Sequence, residues 1–269
     1  MATIDGRVPD GAQEITTGQA NRVWHVHDPR PYVLKHYGDP ARAANEAAAL
    51  TLLAQHQAPA PRLLGAGYPA ARPAWTAQSA IPAEPVPADQ LLPEIAGALA
   101  AIHRIPGPYA GRLAGAQRHR TWRHYLHDRL DTYAAASPDL APTAANLHRE
   151  LDATDRKIEP RLLHHDLRPG HLVHPPNSSS LLLDWELAAF GDPLSDLARL
   201  AVRLDLPHPT ATLHLAHQPN AEAEGRINLY WSIHLLADAA LSTDPALRER
   251  ARAHLSLRPH DPLDTGPLV

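Results

Sequence analysis

The sequence predicts an α+β fold in which a small, strand-rich N-terminal part precedes a larger and mainly helical C-terminal part. Residues 14–37 read as strands separated by turns, with apolar and polar side chains alternating over residues 23–27, and residues 41–55 read as an alanine- and leucine-rich helix without a breaker. After the proline-rich stretch 82–87, which we interpret as a connector, helical segments dominate. We therefore divide the chain into an N-terminal lobe, residues 1–81, and a C-terminal lobe, residues 82–269.

Composition and charge argue against several classes of protein. The 269-residue chain has a net charge of −4 and no basic stripe, which argues against a nucleic-acid partner. It has no cysteine, so disulfide bonds and thiol catalysis are excluded. No run approaches the eighteen apolar residues of a membrane span, and residues 1–10 lack the apolar core of a signal peptide. We expect a cytoplasmic protein with no membrane partner, and the composition indicates no oligomeric state.

Two aspartates eighteen positions apart form the most informative pattern in the chain. Asp166 lies in a polar loop broken by Pro169 and Gly170, and Asp184 ends a run of leucines that we interpret as a buried strand. A loop and a short hairpin fit between the two, so both carboxylates can face one cleft. One would orient a hydroxyl nucleophile and the other would hold a divalent metal, as phosphoryl transfer from ATP requires.

The same segment resembles the catalytic and metal-binding loops of the aminoglycoside phosphotransferase and choline kinase superfamily. The usual pattern there is His-Gly-Asp-Leu-His-Pro-Gly-Asn-Leu, followed by Ile-Asp-Trp-Glu, Gly-Asp-Pro and Asp-Leu-Ala. The matching residues, in the same order and spacing, are His164, Asp166, Pro169, Gly170, Asp184, Trp185, Glu186, Gly191, Asp192, Pro193, Asp196, Leu197 and Ala198. The Asp-Trp-Glu form and the chain length are most similar to bacterial thiamine kinases and choline/ethanolamine kinases. The resemblance implies a bilobal protein-kinase-like fold with an antiparallel sheet in the smaller lobe.

The resemblance also implies roles for individual residues. Asp166 would act as the base or would orient the acceptor hydroxyl, and Asp184 would hold the metal that bridges the nucleotide phosphates. His164 would pack under the catalytic loop and hydrogen-bond its backbone. Asp196, near the start of a helix, would accept backbone N–H bonds as a structural anchor.

Three positions depart from the superfamily pattern or leave their role open. His171 stands where the superfamily has asparagine, and its imidazole suits Mg²⁺ poorly because that ion prefers oxygen ligands. This departure indicates either neutral drift or a weakened second metal site, a different metal such as Mn²⁺, or a slow enzyme. Arg168 replaces a common histidine and would neutralise a transferred phosphate or face solvent. Glu186 would contact the metal or the acceptor.

The nucleotide-binding residues are predicted in the N-terminal lobe. Lys35 projects from a predicted strand and is one of only two lysines in the chain, so we interpret it as the lysine that grips the α- and β-phosphates. Glu46, flanked by alanines and leucines on the following helix, would pair with it. Further nucleotide contacts are expected in a phosphate-binding turn and through the backbone that meets the adenine edge, at Gly18, Asn21, Ser79 and Ile81.

The acceptor site is predicted in the C-terminal lobe. Trp122, Tyr125 and Trp231 are candidate walls, since aromatic faces suit a cationic molecule, although such residues more often form core. We expect an ATP- and Mg²⁺-dependent kinase for a hydroxyl of a small, cationic molecule of the thiamine or choline/ethanolamine type. Alternatives are an aminoglycoside phosphotransferase and a degenerate kinase fold that binds nucleotide without efficient turnover. The expected partners are ATP and a small-molecule substrate.

Overall fold

The N-terminal lobe of the computed structural model is a five-stranded antiparallel sheet covered by one helix. The structure describes residues 4–15, 21–27, 30–68, 71, 73–82, 84–154, 157–176, 178–215 and 220–256. The N-terminal elements are β1 (Gln13–Glu14), β2 (Asn21–Val26), β3 (Tyr32–Tyr37), α1 (Pro40–Gln55), β4 (Leu63–Gly67) and β5 (Ala74–Ser79). The strand order is β1-β2-β3-β5-β4, which places β3 at the centre of the sheet.

Local sequence explains where helix α1 begins. Asp39 is its N-cap and accepts a hydrogen bond from the Ala41 backbone N–H at 2.9 Å. Pro40 occupies the first helical position, where its missing N–H breaks no hydrogen bond of the helix. Leu50 and Leu53 are fully buried, so this face of the helix joins the main core.

The C-terminal lobe is mainly helical and contains two small sheets. Its helices are α2 (Leu91–Ile102), α3 (Trp122–Ala136), α4 (Ala141–Asp152), α5 (Leu194–Arg203), α6 (Ala221–Leu241) and α7 (Pro245–Ser256). Its strands are β6 (Glu84–Pro85), β7 (Ala110–Arg112), β8 (Arg118–His119), β9 (Arg161–Leu163), β10 (Leu172–His174), β11 (Leu181–Leu182) and β12 (Ala189–Gly191). The sheets have the orders β11-β10-β6 and β8-β7-β12-β9. Each helix of the described chain is too short or too polar to cross a bilayer.

The structure confirms the predicted α+β, bilobal class. The apolar pattern of the sequence predicts a helix over 228–241. In the structure that helix begins about two turns earlier, at Ala221, because Asn220 caps it by accepting from the Ala223 N–H at 2.8 Å. The four-stranded sheet of the C-terminal lobe was not predicted, because its strands have only two or three residues each. The boundary at residues 81 and 82 stays a prediction, although β5 ends at Ser79 and β6 already pairs with β10 of the larger lobe.

Asn45 connects helix α1 to the C-terminal lobe by hydrogen bonds. Its side chain is 2% exposed, and its Nδ2 donates to the carbonyl oxygens of Glu186 at 3.0 Å and Ala188 at 2.9 Å. Its Oδ1 accepts from the backbone N–H groups of Leu113 at 2.8 Å and Ala114 at 3.1 Å. One amide thus satisfies four backbone groups of two separate segments of the C-terminal lobe, and each of them would be left unpaired without it.

We expect Asn45→Ala to lower the free energy of unfolding by about 2–4 kcal/mol, because buried backbone groups lose their hydrogen-bond partners. Denaturant unfolding followed by circular dichroism measures the change. Asn228→Ala, which removes an exposed amide on α6, is the matched control and should change stability by less than about 0.5 kcal/mol. Equal effects of the two substitutions would contradict the assigned role of Asn45.

Candidate active site

A buried lysine lies between two carboxylates where the lobes meet. The Lys35 Nζ on β3 is 2.9 Å from Glu46 Oε1 on α1 and 3.0 Å from Asp184 Oδ1, which follows β11. Lys35 is 9% exposed and Glu46 is fully buried. Three residues that are distant in sequence thus form one ion cluster, and two of them belong to the smaller lobe.

The Glu46 carboxylate has a partner for each of its oxygens beyond the lysine. Its Oε1 accepts from the Trp185 backbone N–H at 3.1 Å, and its Oε2 accepts a short hydrogen bond from the Tyr37 hydroxyl. Tyr37 is held in turn by the Thr76 hydroxyl, 2.9 Å away. A buried charge is tolerated when it is paired and hydrogen-bonded in this way.

The charge states of the cluster follow from its geometry. Burial by itself would lower the pKa of Lys35, but attraction to Glu46 and Asp184 outweighs burial and raises the pKa above its ordinary value. Burial alone would raise the pKa of Asp184, yet the neighbouring Lys35 ammonium holds that pKa well below its usual range. The lysine is therefore a cation and the aspartate an anion at neutral pH.

Two arginines of helix α5 hold Asp166. The Arg203 Nη2 donates to Asp166 Oδ1 at 3.1 Å, and the Arg199 Nη2 lies 3.6 Å from the same oxygen. Both guanidinium groups also bind Asp238 of α6, at 2.9 Å from Arg199 and 3.3 Å from Arg203. Burial opposes the charge of Asp166, but the arginines outweigh it and lower its pKa. Asp238, which is 7% exposed, acts on Asp166 through the arginines because both guanidinium groups contact both carboxylates.

Backbone hydrogen bonds fix the loop that carries Asp166. Asp196 Oδ2 accepts from the His164 N–H at 3.0 Å, and Asp196 Oδ1 accepts from the His165 N–H at 2.7 Å. His103 Nε2 lies 3.0 Å from Asp196 Oδ2, and His164 Nε2 lies 2.8 Å from the Leu183 carbonyl oxygen. These contacts are those expected of the structural roles predicted for His164 and Asp196.

Two residues of the site, His165 and Asp184, have left-handed backbone. His165, which stands where the superfamily pattern has glycine, has φ +66°, and Asp184 has φ +67°. Such a conformation costs about 1–2 kcal/mol for a residue other than glycine. The two bonds to Asp196 and the bond to Lys35 hold these residues in place, and strained backbone of this kind is typical of functional sites.

Arg168 and His171 lie between Asp166 and Asp184. The Arg168 Nη2 is 3.4 Å from Asp166 Oδ2 and 3.6 Å from Asp184 Oδ2, and the Arg168 Nε donates to His171 Nε2 at 2.5 Å. His171 Nε2 is also 3.4 Å from Asp184 Oδ2. Burial lowers the pKa of His171 to about 4, so the ring is neutral at pH 7.

Three of these side chains are close enough to share a metal ion. One ligand atom each from Asp166, His171 and Asp184 lie within 4.8 Å of one another. The aspartate oxygens suit Mg²⁺, while a neutral imidazole nitrogen suits Mn²⁺ better. The donor set therefore fits a divalent cation bound mainly by carboxylate oxygen.

Glu186 faces the N-terminal lobe. Its Oε1 is 2.7 Å from Arg42 Nη1 on α1, and its Oε2 accepts a short hydrogen bond from Asn21 Nδ2 on β2. Burial and the nearby Asp184 charge raise the pKa of Glu186, although Arg42 acts in the opposite direction. Glu186 and Asn21 thus lie on the same side of the site, and the contact of Glu186 with the metal or the acceptor stays a prediction.

The other predicted nucleotide-binding residues lie at the edge of the site or outside the described chain. Gly18 lies outside the described residues. Ser79 ends β5, and its backbone N–H and hydroxyl oxygen are both bonded to Arg62, with distances of 2.8 and 2.9 Å. Ile81 is half-buried just beyond the end of that strand. With the Ser79 N–H already paired, backbone contacts to adenine remain a prediction for Ile81.

The three aromatic residues predicted as acceptor walls are buried, and their contact with an acceptor stays a prediction. Trp122 and Tyr125 are 2% and 0% exposed and stack with their ring centroids 5.0 Å apart. Trp231 is 8% exposed and packs edge-on against His254 of α7, with centroids 5.5 Å apart. Each ring buries a large apolar area between helices, which the sequence pattern does not distinguish from a binding wall.

Sequence reasoning missed the residues that support the two carboxylates. Arg199 and Arg203 are four positions apart on α5, so both face α6 and Asp238. The spacing of two arginines directly after the Asp-Leu-Ala motif was the available signal. Asn45 and Arg42 carried no signal, because their partners are about 140 residues away in sequence.

The fold is that of the kinase-like class, with a sheet lobe, a helical lobe and a cluster of charged residues between them. The chain matches the model of the phosphotransferase enzyme family (APH) over residues 11–230, and it belongs to that family. This confirms the resemblance to the aminoglycoside phosphotransferase and choline kinase superfamily. No curated protein matches the chain.

Solved structures share this fold at low sequence identity. The aminoglycoside phosphotransferase APH(4)-Ia is 17% identical with a TM-score of 0.67, and the match covers 92% of this chain and 93% of that one. A thermostable mutant of the same enzyme, in ternary complex with AMP-PNP and hygromycin B, is 17% identical with a TM-score of 0.66 and coverages of 92% and 93%. A candidate fructosamine-3-kinase from Haemophilus somnus is 14% identical with a TM-score of 0.71 and coverages of 93% and 91%.

Acid should destabilise the protein through Asp184 and Asp166. Both have a folded-state pKa below the unfolded value of about 3.9, so the stability they contribute is present above that pH and is lost as the pH falls through the folded-state values. We expect the difference in unfolding free energy between the wild type and Asp184→Asn to be largest above about pH 4 and to shrink below it. Chemical denaturation between about pH 2 and pH 6 measures it.

Asp10→Asn provides the control for this experiment, since Asp10 is exposed and does not belong to the ion cluster around Lys35. Its curve of stability against pH should follow the wild type. A difference for Asp184→Asn that stays constant with pH would contradict the ion pairing described for Asp184.

Proposed function

We propose that this protein is an ATP-dependent phosphotransferase that moves the γ-phosphate to a hydroxyl group of a small molecule. One observation carries the proposal: Lys35, Glu46, Asp166 and Asp184 converge on a single region between the lobes. The family to which the chain belongs supports the reaction type. A structural neighbour in complex with AMP-PNP and hygromycin B supports a nucleotide and a small acceptor as the two partners.

Each charged group has a role in this reaction. Lys35, held by Glu46, would grip the α- and β-phosphates of ATP. Asp184 would hold a divalent cation, Mg²⁺ or Mn²⁺, which would neutralise phosphate charge when it is bound. Glu186 and Asn21 would face the nucleotide from the other side of the site.

Asp166 is the residue that we assign to the acceptor. Its Oδ1 is held by Arg203 at 3.1 Å, and its Oδ2, which Arg168 Nη2 approaches at 3.4 Å, would accept a hydrogen bond from the acceptor hydroxyl. Because its pKa is low, the carboxylate is ionised at neutral pH and is ready to orient the hydroxyl. A loose transition state needs positioning more than proton removal, which suits an aspartate of low basicity.

The acceptor class is the finer part of the proposal. The resemblance favours a cationic alcohol of the thiamine or choline/ethanolamine type, with aminoglycosides as the alternative. The buried positions of Trp122, Tyr125 and Trp231 remove the aromatic support for a cation. The carboxylates of Asp184 and Asp238 are already paired with basic groups. An ADP-release screen should therefore give neutral and anionic alcohols the same weight as thiamine, choline, ethanolamine, sugars and aminoglycosides.

Replacing Asp166 with alanine should abolish transfer, with a loss of at least about 100-fold in turnover, and should leave ATP binding largely intact. ADP release and calorimetric titration of ATP measure the two effects. Asp131→Ala, which removes an exposed carboxylate of α3, is the control and should retain turnover. Unchanged turnover in Asp166→Ala would reject the role of Asp166, and ATP binding without transfer to any acceptor would favour the nucleotide-binding alternative.

Asp238 should matter for turnover although it does not contact the reacting groups. We expect Asp238→Asn to lower kcat about tenfold, equivalent to about 1.4 kcal/mol, and to leave the KM for ATP unchanged. The reason is that Arg199 and Arg203 lose the shared partner that aims them at Asp166. A rise in KM with constant kcat would contradict this reason, and a thermal unfolding scan separates the effect from a loss of folding.

A further inference from the structure

Arg168 and His171 are two departures from the superfamily pattern that contact each other. The pattern has histidine and asparagine at these positions, three residues apart, where this chain has arginine and histidine. The Arg168 Nε donates to His171 Nε2 at 2.5 Å. Because the two changed side chains form a direct hydrogen bond, we consider them as one unit.

This unit lies between the two aspartates. One oxygen of each aspartate is already occupied, since Lys35 binds Asp184 Oδ1 at 3.0 Å and Arg203 binds Asp166 Oδ1 at 3.1 Å. The second oxygens, both Oδ2, are approached by the Arg168 Nη2 at 3.4 and 3.6 Å. A single guanidinium nitrogen thus faces both of the oxygens that remain for a shared cation.

His171 positions the guanidinium. Its ring is 8% exposed, and its Nε2 accepts the Arg168 N–H, so the lone pair of this nitrogen is already used. The other ring nitrogen, Nδ1, is buried without a hydrogen-bond partner among the described residues. The sequence had suggested that His171 is part of a metal site. This geometry fits a support for Arg168 better.

We propose that Arg168, held by His171, supplies the positive charge between Asp166 and Asp184 that a second divalent cation would otherwise supply. The nucleotide complex would then bind one divalent ion per chain, at Asp184. A guanidinium is always charged and planar, and it loses less hydration than an ammonium, so it suits a place between two carboxylates. The proposal rests on the proposed phosphotransferase function.

Counting bound Mn²⁺ by electron paramagnetic resonance tests this directly. With saturating ADP, the wild type should bind one Mn²⁺ per chain. The double variant Arg168→His with His171→Asn, which restores the superfamily residues at these two positions, should bind two. His171→Asn alone keeps the guanidinium and should still bind one. Arg123→His, which changes an exposed arginine of α3 in the same way, is the matched control and should also bind one.

Two results would overturn the proposal: a wild-type count of two ions, or a count of one for a folded double variant. The wild-type count decides the matter even if the double variant does not fold, which circular dichroism establishes. Failure of the proposed function has a different signature. No ADP binding together with no transfer to any acceptor would reject the kinase assignment, whereas transfer by an enzyme that binds two ions would reject only the role of Arg168.

Discussion

The buried carboxylate of Glu46 is the interaction on which the rest of the site depends. It binds Lys35 of the sheet, the Tyr37 hydroxyl and the backbone N–H of Trp185 in the larger lobe. A fully buried anion is stable only if each lone pair finds a donor, so this group fixes the distance between the lobes as well as the reach of the lysine. Asp184, one residue before Trp185, is thereby held 3.0 Å from Lys35.

The carboxylates of the site are matched by basic side chains. Asp166 and Asp238 share two arginines, Asp184 is paired with Lys35, and Glu186 is paired with Arg42. The site is therefore close to neutral. In the proposed reaction, phosphates would meet cations that are already oriented by carboxylates, so nucleotide binding would need little reorganisation. In a chain of net charge −4, the positive charge of the site comes from individual lysine and arginine side chains that carboxylates hold in place, and not from a basic surface.

The sequence predicted the fold class and the main helices, because long amphipathic or alanine-rich segments carry a strong periodic signal. It also brought Lys35, Glu46, Asp166 and Asp184 into one hypothesis through their motifs and the rarity of lysine. The short strands of the larger lobe left too few residues for a periodic pattern. The aromatic walls stay a prediction, because a buried ring and a ligand-facing ring have the same sequence pattern.

The four hydrogen bonds of Asn45 have a consequence for motion. In a two-lobed kinase fold, hinge bending between the lobes is the usual route by which ligands enter and leave. Here helix α1 belongs to the smaller lobe in sequence, but the buried side-chain amide of Asn45 joins it to the larger lobe by hydrogen bonds. These bonds therefore oppose any hinge motion that carries α1 away from the larger lobe, and swinging α1 outward as an on–off control would expose four backbone groups at once.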